Sequence, residues 1–155
     1  RSCQNLAPVA LPRVKDRPVF AGAVVVVPDG RILCQLRDDK PGIICPGCWS
    51  STPGGHVEPG EEPAAAIVRE LFEEFEVRVN DLRRLTTVVE AGGEFAGTYH
   101  AFTGRLAIPL VDVKCHEGVR VAFFTPKEAL ALRQHPVSRK ILLEYLRLST
   151  VNVDS

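Results

Sequence analysis

Methionine is absent from the chain, tryptophan occurs once and tyrosine twice. With no methionine, the initiator lies outside this sequence. Net charge is missing as well, since 19 basic residues balance 19 acidic ones. That balance offers no broad basic face for extended nucleic acid and no polybasic anchor for a membrane surface. No apolar run approaches the roughly 18 residues that span a bilayer. The run from Phe20 to Val27 has the length of a buried strand instead. No signal-peptide pattern opens the chain. A disulfide framework and a zinc set are lacking too. Five cysteines (Cys3, Cys34, Cys45, Cys48, Cys115) make an odd set, and Cys45-Pro46-Gly47-Cys48 is a lone CxxC without a second pair or closely spaced histidines. The expectation is reduced thiols in a cytoplasmic protein, with the CxxC as two loop cysteines.

What is present is ordinary globular material: 45% hydrophobic and 25% charged residues in a chain of 155. That is enough for one domain whose core needs no disulfide staple. Residues 1–18 read as an N-terminal arm, 19–148 as a single domain and 149–155 as a C-terminal tail. Val19 to Val27 is apolar on both faces and reads as a central strand. Pro28-Asp29-Gly30 has turn chemistry, and Arg31 to Arg37 is the returning strand of a hairpin. Asp38 to Thr52 reads as a long, Pro- and Gly-rich loop, a length usually reserved for function. A helix is expected over Glu61 to Phe75, strands over Leu82 to Glu90, Tyr99 to Leu106 and Val119 to Phe124, and a capped helix at Thr125-Pro126-Lys127-Glu128. A last helix is expected from Pro136 to about Arg147. The pattern predicts an α+β fold, a mixed sheet packed between helices.

The stretch PGGHVEPGEEPAAAIVRELFEEFEV, Pro53 to Val77, is the most informative. On a helical wheel Val68, Leu71, Phe72 and Phe75 fall on one arc, the expected core face, with Glu70, Glu73 and Glu74 centred roughly opposite. Like charges at i,i+4, here Glu70 and Glu74, cost a few tenths of a kcal/mol even in water, so roughly that much must be offset elsewhere. Arg69 can pair with Glu73. A divalent cation would neutralise the rest, and magnesium in particular prefers carboxylate oxygen and substrate phosphate. A solvated acidic face would also tolerate them. Gly54-Gly55 ahead of the helix permits a close backbone approach to a ligand, and Pro59-Gly60 then Glu61-Glu62-Pro63 provide a turn and a helix entrance.

This segment resembles the Nudix box, G-x5-E-x7-R-E-U-x-E-E-x-G-U, where U is bulky and aliphatic. Gly55, Glu61, Arg69, Glu70, Leu71, Glu73, Glu74 and Val77 fall in register with it. One position departs: Glu76 stands where the pattern has glycine, which touches the helix exit rather than the carboxylates. Arg37 to Gly42, Trp49, and Glu117-Gly118 ahead of Phe123 to Pro126 also resemble small mutator-type members, so the likeness spans Phe20 to about Leu146.

The resemblance implies a Nudix-like sheet sandwich and a magnesium-dependent pyrophosphohydrolase, with manganese as an alternative metal. The implied substrate is a nucleoside diphosphate linked to a further group, first a nucleoside triphosphate cut to monophosphate and pyrophosphate. A nucleotide sugar or ADP-ribose is the second reading, and a non-catalytic nucleotide-binding regulator a third, of another class. The metal ligands implied are Glu70, Glu73, Glu74 and the Gly55 carbonyl, with Arg69 orienting the glutamates. Glu61 is implied to be structural. Glu73 is the first candidate for general base and Glu117, on a late loop, the second; Glu90 and Glu94 are weaker. Arg37 could meet a phosphate or be an outward strand arginine. Trp49 could stack on a base or pack on the core. His56 reads as a loop hydrogen-bonder, and His100, His116 and His135 show no metal spacing. The partner expected is a small nucleotide, with no membrane and no long nucleic acid, and the protein itself a monomer or homodimer.

Overall fold

A computed structural model describes residues 17–151. The expected arm falls almost wholly outside the described residues, as does the end of the expected tail. One seven-stranded sheet organises the rest: β1 (Val19–Val26), β2 (Ile32–Leu36), β3 (Trp49–Ser50), β4 (Gly54–His56), β5 (Asn80–Glu90), β6 (Gly97–Arg105) and β7 (Arg120–Phe124). Its path runs β3-β2-β1-β6-β5, with β4 paired to β1 and β7 to β2. β1 is antiparallel to β2 and β4 but parallel to β6, so the sheet is mixed. The expected loop from Asp38 to Thr52 contains the two-residue strand β3.

β1 sits at the centre because its residues alternate between two cores. Ala21, Ala23 and Val25 face one cluster with Leu33 and α1 (Pro63–Phe75). Val24 faces another, with Ile32, Cys34 and residues of α2 (Pro126–Ala131) and α3 (Pro136–Val151). The sheet is therefore held between helices, the expected sandwich. α2 starts as its sequence predicts: Thr125 Oγ1 accepts from the Glu128 N–H and Glu128 Oε1 from the Thr125 N–H. α3 runs past its expected end near Arg147 to Val151.

Two expectations are corrected. α1 does not bury Val68 and Phe72, which are 40% and 44% exposed. Its core residues are Ala66, Ile67, Leu71 and Phe75. The helix turns Ala66 and Ile67 into the core beside β1, while Phe72 stays outside under the Arg78 guanidinium, 4.6 Å from its ring. Second, Cys45 and Cys48 are not free thiols but form a disulfide. Cys45 takes a left-handed conformation (φ 51) and Gly47 another (φ 69), a tight turn that sets their Cα atoms 5.6 Å apart, within bridging range.

Candidate active site

β4 and α1 approach each other closely, and glycine makes this approachable. A Cβ on Gly54 would stand 2.0 Å from the Ala21 carbonyl oxygen, and one on Gly55 only 2.5 Å from the Glu70 carboxylate. At Gly54 a larger residue would meet backbone, and at Gly55 it would have to displace the Glu70 carboxylate. Glu70 is thus delivered against the β4 backbone from just past the middle of α1.

Arg69 holds this arrangement. Its Nε and Nη2 donate to the two oxygens of Glu61, both at 2.9 Å, and Nη2 also donates to the His56 carbonyl at 3.0 Å. Its Nη1 reaches Glu70 Oε1 at 2.9 Å and Glu73 Oε2 at 3.2 Å. These bonds use the full donor fork of a guanidinium. Glu61, bonded by Arg69 and by the Glu58 N–H, is held down to about 2. The same bonds push Arg69 above its already high value.

Glu74 is in a different position. It is 6% exposed, and its Oε2 is sealed from solvent with no hydrogen-bond partner among the described residues. Burial first, then the adjoining Glu117 and Glu70, push its carboxyl up to about 9. Burial and the Glu73 and Glu117 charges outweigh Arg69 at Glu70 and raise that carboxyl also. Glu117 arrives from the loop ahead of β7. That loop is stitched to the end of α1 by Lys114 N–H to Phe75 O and His116 N–H to Glu74 O. Gln35 Nε2 donates to the Glu117 carbonyl at 2.7 Å from β2.

Beside these carboxylates lies an open cavity of about 570 Å³, and Gly55, Glu70, Glu74, Glu117 and Arg37 all line it. Glu73 and Trp49 do not. Glu73 is exposed, with 55% of its side chain open to solvent. Trp49 is 9% exposed and packs edge-on against Phe124 with Arg120 over its ring, so its core alternative is the one observed. Arg37 is not simply outward: its Nε donates to the Ile44 carbonyl across the loop at 3.0 Å. Glu90 is paired with Lys140 and Glu94 stands exposed in a turn, which sets both apart from the cluster. His56 ends β4 rather than lying in a loop: its carbonyl accepts from Arg69, and its ring packs on Phe20 in the cavity lining. The residue that sequence reasoning passed over is His135, which also lines the cavity. Its only available signal was its place immediately before the first proline of α3.

The donor set fits a hard divalent cation. Three carboxylates line one cavity, one of them with an unpartnered buried oxygen that a cation would satisfy. Among the described residues no three His, Cys, Asp or Glu side chains already converge as a cage. Arg69 holds Glu70 and Glu73 by ion pairs at 2.9 and 3.2 Å.

The NUDIX domain pattern matches residues 16–145. A comparison with curated proteins finds no match. Among solved structures, a MutT protein from Methanosarcina mazei superimposes with a TM-score of 0.69 at 19% identity, over 86% of this chain and 97% of its own. A mutT/nudix family protein from Listeria innocua gives 0.69 at 18%, over 88% and 96%. The dihydroneopterin triphosphate pyrophosphohydrolase of E. coli gives 0.66 at 26%, over 81% and 92%.

Proposed function

The chain belongs to the NUDIX family of hydrolases, and from that premise we propose that it cleaves a nucleoside triphosphate to the monophosphate and pyrophosphate with the help of magnesium. One observation carries this reading: the buried, unpartnered Glu74 Oε2 beside Glu70 and Glu117 at the wall of the cavity. A protein that merely binds nucleotides gains nothing from burying carboxylates so close together that burial first, and neighbouring charge second, raise the pKa of two of them. The likeness to a pyrophosphohydrolase of a triphosphate supports the choice of substrate class.

Glu70 and Glu74, with the Gly55 carbonyl, are the groups we assign to the ion, with Glu73 beside them on α1. Bound there, magnesium supplies charge to screen the phosphates and to acidify an attacking water. Arg69 fixes Glu70 in place through a charge-assisted bond and so maintains the spacing of the cluster. Arg37, at the same cavity, meets the phosphate chain as a fixed positive charge. Of the two candidate bases, Glu117 is the better placed, because it lines the cavity and Glu73 does not. It would take the proton from water as the water oxygen bonds to phosphorus, the anhydride P–O bond breaks and pyrophosphate leaves.

The test is a nucleotide panel with and without magnesium, with separate assays for pyrophosphate and orthophosphate. Pyrophosphate from triphosphates, only with metal, is the expected result. Release of monophosphates from ADP-ribose or nucleotide sugars alone would move the assignment to those substrates. Metal-dependent binding without turnover would identify a regulator.

A further inference from the structure

The cavity is lined by two chemically different sets of residues. Carboxylates form one. In the other, Phe20 and Tyr99 stack with centroids 4.8 Å apart, and His135 adjoins Tyr99 at 6.2 Å and Phe95 at 4.8 Å. Aromatic faces of this kind accept a planar ring of any composition. Discrimination among rings must come from a polar group with a fixed hydrogen-bonding sense.

Few lining groups can supply it. The hydroxyls of Ser50 and Thr52 both bond to Ser138 Oγ, at 3.1 and 2.8 Å. Gln35 Nε2 is engaged with the Glu117 carbonyl, and the His100 ring, whose Nδ1 accepts from Arg84 Nη2, depends for its tautomer on an exposed side-chain contact rather than on the backbone. The His56 ring is exposed and nothing fixes its tautomer.

His135 is different. Its N–H donates to the Trp49 carbonyl at 3.0 Å and its carbonyl accepts from the Arg139 N–H at 3.1 Å, so its backbone is anchored at both ends. Its Nδ1 accepts the Val137 N–H at 3.2 Å, capping the sixteen-residue α3. An Nδ1 that accepts carries no proton, so the proton of the neutral ring sits on Nε2. Burial, then the Arg37 charge, hold the ring neutral by lowering its pKa to about 4. Among the described residues Nε2 has no partner. It is a donor and cannot become an acceptor while the cap is made.

We propose that His135 is a specificity-determining residue that reads the base of the substrate through its Nε2–H, favouring a ring edge with an oxo acceptor over one with an amino donor. The inference rests on the triphosphate reading above. An oxo group accepts the Nε2–H. An amino group at the same place sets donor against donor and leaves both unpaired in a half-buried site, a loss that single-contact discrimination translates into about tenfold or more in kcat/KM.

Inosine and adenosine triphosphates differ at this edge. The experiment measures pyrophosphate release from both, with magnesium, by the wild-type protein and by His135→Asn and His135→Gln. Asn retains an oxygen that can cap α3 but has no group at the Nε2 position. Gln places an N–H there but gives up the cap. The expected result is that the inosine-to-adenosine ratio of kcat/KM falls at least tenfold in His135→Asn and is largely kept in His135→Gln, while thermal stability falls in the reverse order. A wild-type protein indifferent to the two bases, an unchanged ratio in His135→Asn, or equal loss in both variants overturns the proposal and leaves triphosphate hydrolysis standing. Failure to release pyrophosphate from either nucleotide removes the triphosphate reading, and this inference with it.

Discussion

His116 donates its backbone N–H to the Glu74 carbonyl at 2.9 Å, and this contact brings Glu117, the next residue, against the Glu74 carboxylate. A loop about forty residues away in sequence thereby completes an acidic site begun on α1. The linkage is backbone to backbone, so it depends on the end of α1 being where Leu71 and Phe75 anchor it in the core. Packing, helix exit and site chemistry are coupled through one hydrogen bond.

The first prediction concerns Glu74→Gln. The Glu74 carboxyl has its pKa raised from 4.5 to about 9. An acid with a raised folded pKa binds more protons folded than unfolded between those values, so its contribution to stability declines as pH climbs through that window. Glutamine does not titrate. The melting temperature of the metal-free variant should therefore gain on the wild type steadily between pH 5 and pH 9, while hydrolysis is lost. Parallel melting curves across that range would contradict the assignment.

Glu117→Gln and Glu73→Gln should separate the two candidate bases. Both are expected to fold, since neither side chain belongs to a core cluster. Turnover by Glu117→Gln should drop by about 10²- to 10⁴-fold, the usual weight of a general base. Glu73→Gln loses one contact to Arg69 and should retain more activity than Glu117→Gln. The reverse ranking in steady-state kinetics would return the role to Glu73.

Gly54 and Gly55 should behave differently when changed to alanine. The obstacle at Gly54 is the Ala21 backbone, which cannot yield without breaking the β1–β4 pairing. The obstacle at Gly55 is the end of the Glu70 side chain, which can swing away. Gly54→Ala should cost several kcal/mol in denaturant unfolding, at or above the roughly 1–3 kcal/mol typical of overpacking. Gly55→Ala should unfold nearly as the wild type does yet hydrolyse and bind metal poorly. Equal destabilisation of the two would show that Glu70 is not free to move.

How much of this was readable before the fold was known follows from what spacing can and cannot encode. The register from Gly55 to Val77 set Glu70, Glu73 and Glu74 on one helix beside a tight loop, which fixes their relative places but not which of them faces the cavity. The β1 alternation and the Thr125 cap were legible for the same local reason. The rotation of α1 was not. A hydrophobic wheel favours Val68 and Phe72, yet the sheet surface selects Ala66 and Ile67, and with them it buries Glu74 near the middle of the packed arc. That burial, which raises the Glu74 pKa, was hidden with the rotation. His135 was invisible because its role depends on a cap and a cavity, neither of which has a sequence spacing. The disulfide was missed because compartment statistics favoured reduced thiols, while the backbone turn at Cys45 and Gly47 decides whether two sulfurs can meet.

Glu76 provides the last prediction. It ends α1 in the left-handed conformation (φ 53, ψ 37), its N–H donating to the Phe72 carbonyl, at the position where the box has glycine. Glycine there relieves about 1 kcal/mol of strain. Against that stands the Glu76 contact with His116 Nε2 at 2.8 Å, both side chains about half exposed. Such a pair contributes about 0–1 kcal/mol and is screened by salt. Glu76→Gly should thus be neutral to mildly stabilising at low ionic strength, and more stabilising in about 1 M salt, where the lost pair is already worth little. Glu76→Ala isolates the two effects, because it removes the pair and keeps most of the strain. The difference between the Gly and Ala variants in denaturant unfolding should be about 1 kcal/mol at either salt concentration, with hydrolysis unaltered in both. A glycine variant less stable than the alanine variant would mean that the loop from Lys114 to Glu117, rather than the helix exit, holds Glu76 in its unusual conformation.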